Sequence, residues 1–314
     1  MKKNRRNWSA MALMVLALSC TALSPAVLAS DTKAFADVHL HYTWDQTGVT
    51  SAQDAVDFLI KNNVALAVVS GTPPDLALEL RASGGSWVVP IFSPYLTVSH
   101  RQNWFTDIAV VTAARQALAS NKYFGIGEVH LRGGLGPSRK NNVLQQLIAL
   151  AAEYDVPFLI HIETSSELYF IPLCRQHPNT RFLLAHAGGT LSANQISNLL
   201  QTCPNVWVEM SSRDPWRYVD SPPIVNKKGD LLPEWLRLMQ ARPDRFMAGS
   251  DTVWPVDNAH QWDQPDTGWQ QLGRFINFHR RWIRSLPEPL RNNVRLTNAL
   301  SFFNNNGRLP SRDQ

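Results

Sequence analysis

A chain of 314 residues, 44% hydrophobic and 18% charged, carries enough apolar side chain for one large domain or two small ones. Its formal charge of +5 is largely terminal: removing Lys2, Lys3, Arg5 and Arg6 from 30 cations leaves 26 against 25 acids. No basic stripe is left to bind nucleic acid, and no second apolar run could span a membrane.

The first segment reads as a secretory signal. "MKKNRRNW" is a basic leader, "AMALMVLALSCTAL" an apolar stretch too short for a stable span, and "AVLA" sets Val27 and Ala29 before a cut. Residues 1–29 are therefore expected to be removed, leaving one domain over 30–314 in an exported protein, periplasmic or secreted. Arg5-Arg6 suits a twin-arginine leader poorly because Asn7, Trp8 and Ser9 follow. Lipid anchoring at Cys20 is disfavoured because the leucine expected three residues earlier is missing.

The rest alternates short apolar runs with longer helical patterns. The runs are "AFADVHLHY" (34–42), "ALAVVSG" (65–71), "SWVVPIFSPY" (86–95), "YFGIGEVHL" (123–131), "PFLIHIET" (157–164), "RFLLAHAGG" (181–189), "VWVEMSS" (206–212) and "RFMAGSD" (245–251). Between them, segments such as 52–63, 104–120, 141–155 and 192–203 carry apolar residues at three- and four-residue spacing. Strand–helix alternation implies parallel pairing through right-handed crossovers. Eight units predict an α/β protein built as a single (β/α)₈ barrel, with a doubly wound open sheet as the competitor. The least regular stretches, 213–230 and 252–268, both follow strands, at the end where a barrel carries its active site.

The polar residues inside these runs share one depth. In the first strand Asp37, His39 and His41 occur at every second position, which predicts one common face opposite Ala36, Val38 and Leu40. Glu128 lies in the fourth strand and His161 in the fifth, while His186 and Asp251 close the sixth and eighth. A lone strand histidine is ordinarily a hydrogen-bonded core residue. Six of these groups around one mouth, His39, His41, Glu128, His161, His186 and Asp251, instead form a nitrogen and oxygen ligand set, for Zn²⁺ first and for Mn²⁺ or Fe²⁺ as alternatives.

The pieces "DVHLH", "IHIET", "LLAHAGG", "GSD" and "NALSFFN" together resemble the amidohydrolase superfamily, in its amidohydrolase-related branch, from about residue 34 to 304. The resemblance implies that His39, His41, His161 and Asp251 match metal-ligand positions. It also implies that His186 matches a residue that binds a second metal in binuclear members and is catalytic in mononuclear ones. The fourth strand lacks the lysine that many binuclear members carry there. Glu128 then either bridges two metals or orients a ligating histidine, so one ion and two ions both stay open.

The chemistry implied is metal-assisted hydrolysis of an amide, ester or lactone of a small molecule. Asp251 would shuttle the proton, and His186, if not a ligand, would polarise the carbonyl. Asp37 and Glu163 are expected to hold the ligands in place. Two alternatives remain: non-oxidative decarboxylation of an aromatic or related carboxylic acid at the same metal site, and a catalytically silent metal- or ligand-binding barrel. Arg132, Arg213 or Arg217 could grip a substrate carboxylate, although solvated surface arginines are the plainer reading of each. Trp104, Trp216 and Trp254 either wall a pocket or pack loops. A homo-oligomer stays open.

Cys174 and Cys203 sit near the ends of two helices that would be neighbours around the barrel. An oxidising compartment permits a disulfide between them. Adjacent helices offer many non-bonding geometries, so two buried thiols are slightly favoured.

Overall fold

The computed structural model describes residues 33–131, 137–162, 166–217, 221–254, 265–304 and 307. The expected signal segment, 1–29, lies outside them. Eight strands run in chain order: β1 Phe35–Thr43, β2 Val64–Thr72, β3 Val88–Ile91, β4 Ile126–His130, β5 Phe158–His161, β6 Phe182–Leu184, β7 Val206–Glu209 and β8 Phe246–Met247. The helices between them are α1 Ala52–Lys61, α2 Asp75–Gly84, α3 His100–Asn103, α4 Ala109–Ala119, α5 Asn142–Glu153, α6 Glu167–Gln176, α7 Ala193–Thr202 and α8 Pro233–Ala241. After β8 come α9 Leu272–Arg284, α10 Leu290–Asn292 and α11 Asn298–Phe303. Local chemistry starts the helices. Ser51 and Ser192 close capping boxes with Asp54 and Gln195 on α1 and α7, and Asn141 caps α5.

All strand pairs are parallel, ordered β1-β2-β3 in one sheet and β4-β5-β6-β7-β8 in the other. The sheets meet at both edges. On one side Phe92 bridges Ile126 in parallel, and the Gly127 amide donates to the Phe92 carbonyl at 2.8 Å. On the other, Val38 donates to Ala248 at 3.1 Å and Asp251 donates to His39 at 2.7 Å.

Two buried layers lie on opposite faces of the strands. Phe35, Leu40, Val69, Phe158 and Val208 pack with helix residues such as Leu59, Leu147 and Leu199. Val38, Val68, Val89, Leu159 and Met247 pack with Phe302 and Phe303 of α11, which plugs the opposite face.

This partition corrects the expected face of β1. Ala36 and Val38 belong to the plug layer, whereas Phe35, Leu40 and Tyr42 belong to the helix-facing layer. The β1–β2 register shifts between Asp37 and Leu40, so a bulge breaks the two-residue alternation there. Asp37 therefore does not share a face with His39 and His41. It is fully buried, and its Oδ1 accepts from the amides of Ser250 (2.8 Å) and His39 (3.3 Å).

A second correction concerns the cysteines, which are disulfide-bonded with 6.0 Å between Cα atoms. Cys174 on α6 and Cys203 at the cap of α7 fall where the two helix ends lean together, within bonding reach. Among the described residues no helix is long and apolar enough to cross a membrane.

Candidate metal centre

Each candidate ligand is delivered by a strand or by the turn just beyond one. His39 stands in the bulged stretch of β1 and His41 beyond it, Glu128 on β4 and His161 at the last position of β5. His186 and Asp251 lie past their strands, in turns that place them at φ 55° and 51°. Non-glycine residues adopt such angles only where the surroundings hold them. Here the Asp251 amide is tied to β1, and the His186 amide donates to Glu209 Oε1 at 2.6 Å.

The side chains converge. His39 Nε2 lies 3.0 Å from His41 Nε2, which lies 3.4 Å from Asp251 Oδ1. Glu128 is the hub of the other half: its Oε1 is 2.9 Å from His161 Nδ1, 3.2 Å from His186 Nε2 and 3.6 Å from His39 Nε2. Its Oε2 is 3.4 Å from His41 Nε2 and 3.0 Å from His130 Nε2. Within each of three triads the ligand atoms all lie within 4.8 Å of one another: His39, His41 and Asp251; His39, Glu128 and His186; and Glu128, His130 and His161.

Proton accounting shows that this donor set fits a cation. His39 Nδ1 faces Glu209 Oε1 at 2.9 Å, an acceptor, so the ring proton is assigned there and Nε2 carries a lone pair. Ser211 donates its only hydroxyl proton to Glu209 Oε1 at 2.9 Å, so His186 Nδ1 is assigned as the donor to Ser211 Oγ at 2.7 Å. His186 Nε2 is then also a lone pair, and it faces the Glu128 carboxylate. Opposed lone pairs repel, and a divalent cation between them turns the repulsion into coordination. The Glu209–His39 bond is also the standard way a protein orients a metal-ligating imidazole.

The charges are arranged to match. Without a cation, burial works against ionisation of Glu128, but protonated His39, His161 and His130 hold its pKa well below the ordinary value, while Glu128 and Glu209 raise that of His39; a divalent cation would take the place of those protons. Burial likewise opposes ionisation of Asp251, but His186, His39, His41 and Arg217 bring its pKa down to about 2. On Glu209 the penalty of burial is overcome by His39 and His186.

Among the described residues expected to serve the site, several do otherwise. Arg213 and Arg217 are buried, not solvated. Arg213 Nη1 donates to Gly189 O at 2.6 Å and Nη2 to Pro222 O at 3.0 Å, clamping the turn that carries His186. Arg217 binds Asp214 at 2.7 Å and the carbonyls of Ser250 and Asp251, underpinning the turn after β8. Trp104 is buried against Tyr95, whereas the Arg274 guanidinium lies over the rings of Trp216 and Trp254, at 4.5 and 5.5 Å. Arg132 and Glu163 lie outside the described residues. Sequence reasoning passed over Glu209, Ser211 and His130. The visible signal was an acid within the apolar run "VWVE" and a histidine two places after Glu128, the same spacing as His39 and His41.

A family model described as amidohydrolase matches residues 101–304. The chain belongs to the amidohydrolase family. No curated protein matches it. Among solved structures it is similar to an amidohydrolase from Burkholderia multivorans with bound zinc, at 15% identity, covering 88% of this chain and 100% of the other, with a TM-score of 0.51. It is also similar to an uncharacterised TIM-barrel protein from Bordetella bronchiseptica, at 13% identity over 80% of this chain and 82% of the other, with a TM-score of 0.51. At these identities the likeness bears on the fold. For this amidohydrolase, the family and the three ligand triads together support a divalent-metal site.

Proposed function

We propose that this amidohydrolase is a metal-dependent hydrolase that uses water to cleave an amide, ester or lactone of a small molecule. The observation that carries the reading is the convergence of His39, His41, Glu128, His161, His186 and Asp251 from the ends of five strands. A closed (β/α)₈ barrel is the natural frame for it, supported by the hydrogen bonds that join the sheets at both edges.

Bound there, a divalent cation (Zn²⁺ first, Mn²⁺ or Fe²⁺ as alternatives) supplies Lewis acidity, lowering the pKa of water from about 15.7 to about 7. His39, His41 and Asp251 would hold it, with Glu128, His161 and His186 completing the mouth. Asp251 accepts the proton of the attacking water at Oδ1 and returns it to the leaving group, while the Ser212 hydroxyl fixes Oδ2. The hydrogen bonding of His186 Nδ1 to Ser211 suits a ligand role at Nε2 better than donation to a carbonyl.

Hydrolysis is preferred to decarboxylation because Arg213 and Arg217 direct their terminal nitrogens to backbone carbonyls and Asp214 rather than into the mouth. The discriminating experiment is a panel of lactones, esters, amides and aromatic acids, assayed with and without chelator. Chelator-sensitive hydrolysis supports the proposal, and carbon dioxide release from an acid without hydrolysis of any other compound overturns it.

We also propose that residues 1–29 are a secretory signal and that the mature enzyme works outside the cytosol. The disulfide between Cys174 and Cys203 supports an oxidising compartment.

A further inference from the structure

We propose that Arg274, held over the rings of Trp216 and Trp254, anchors a carboxylate of the substrate, so that the compound hydrolysed is an anionic one. The inference rests on the hydrolase reading of the metal centre and narrows its substrate class. It gives the carboxylate grip to an arginine of α9, in place of Arg213 and Arg217, which carbonyls and Asp214 already occupy.

Three observations carry it. The first is place. Trp216 lies four residues beyond Ser212, whose hydroxyl donates to Asp251 Oδ2, and directly before Arg217, which donates to the Ser250 carbonyl at 2.7 Å. Trp254 lies three residues beyond Asp251, a span of at most about 11 Å. Both tryptophans therefore stand at the end of the strands that carries the ligands. Phe275, the neighbour of Arg274 on α9, ties them to it: its ring is 3.9 Å from the Arg217 guanidinium and 6.1 Å from the ring of Trp254.

The second is fixation. Trp216 meets Phe278 edge-on at 5.5 Å, and the Trp254 amide donates to Asp266 Oδ1 at 2.8 Å. Both tryptophans are half-buried, so the platform is set before a ligand arrives. The Arg274 guanidinium lies 4.5 and 5.5 Å from the two ring centroids. Contact with both rings restrains a long side chain that would otherwise lose its rotamer freedom on binding.

The third is the donor edge. Arg274 is exposed in the first turn of α9. Arg280 and Arg295 each donate to backbone carbonyls, whereas among the described residues no carboxylate or carbonyl accepts from Arg274. Aromatic rings attract the charge of a guanidinium without using its N–H groups, which stay available to a ligand. Their fork matches the two oxygens of a carboxylate. A phosphate dianion would call for a second cation, and the arginines nearest in these loops are already taken up. The carboxylate is a handle in this arrangement, and the bond cleaved lies elsewhere in the same molecule.

The test uses the full chain loaded with Zn²⁺ and isothermal titration calorimetry against the linear dicarboxylates from succinate to suberate, each paired with its monomethyl ester. One carboxylate can occupy the metal centre as a product would, which leaves the other for Arg274. At the chain length that spans the two, the wild type should bind the dicarboxylate about 10- to 100-fold more tightly than its monoester. Arg274→Gln should abolish that preference with monoester binding and metal content unchanged. Arg274→Lys, which keeps the charge and loses the fork, should retain only part of it. A wild type without preference at any length would overturn the proposal, as would a preference that survives Arg274→Gln. Equal weakening of both members of each pair would make Arg274 a brace between loops and overturn it too. Should the wild type hold no metal, the hydrolase reading falls, and the monoesters alone decide the anchor on that protein. Binding lost in Arg274→Gln then supports it, and binding absent from the wild type or unchanged in the variant overturns it.

Discussion

The two halves of the site differ in how they are held. On the β1–β8 side, His39 is anchored by Glu209, Asp251 by Ser212, and the turn beneath them by Arg217, with side-chain exposures of 0% for His39 and 5% for Asp251. On the β4–β5 side, His161 and His130 flank Glu128 at 17% and 39% exposure. On the proposed reading, the first half would serve retention and proton transfer in a low-dielectric setting, and the second would leave room for access from solvent.

The largest expected effect comes from removing an anchor of the buried half. His39→Ala should lose most of the bound metal and at least about 10³-fold in turnover, while His100→Ala, whose ring pairs with Asp107 and belongs to none of the three ligand triads, should change neither. Metal content and kcat measured side by side check this, and equal losses in the two variants would erase the distinction. Asp251→Asn should cut kcat by roughly 10²- to 10⁴-fold with the fold retained, because it removes a proton acceptor while leaving the volume unchanged. Near-normal turnover would move proton transfer elsewhere.

Glu209→Gln tests whether the buried half depends on groups that never touch the metal. It should weaken metal affinity by about 10- to 100-fold, read by competition with a chromophoric chelator, because His39 loses the carboxylate that orients it. Unchanged affinity would make Glu209 a packing residue.

These residues also mark the limit of what could be read from the chain alone. The eight strand runs and the ligand types were visible because each breaks an apolar pattern at a similar depth. The bulge in β1 was not, since an inserted residue leaves composition and spacing untouched, and so Asp37 was assigned to the wrong face. Arg213 and Arg217 looked like surface residues because the carbonyls that bury them, those of Gly189 and Pro222 for Arg213 and of Ser250 and Asp251 for Arg217, are not displayed by the sequence. Glu209 was hidden in an apolar run whose period already suggested a strand. Arg132 and Glu163 fall outside the described residues.

The smallest effect concerns Asp266, beyond the buried half, whose pKa burial lifts from 3.8 to about 7 even though Oδ1 accepts from the amides of Trp254 and Gly268. A raised carboxyl pKa favours the folded state below the unfolded value, and that contribution is lost as pH rises through the folded one. Relative to Asp266→Asn, the wild type should therefore lose stability between about pH 4 and about pH 7 and change little above it, as read by denaturant unfolding. A difference independent of pH would contradict the assignment.

The most direct test of the central claim is elemental analysis of protein purified without chelator, with turnover on a hydrolysed substrate followed through chelation and reconstitution. The account predicts one or two equivalents of a divalent transition metal, with activity lost on chelation and restored by Zn²⁺ or Mn²⁺. Absence of metal, together with no gain of activity when either ion is added, would contradict it.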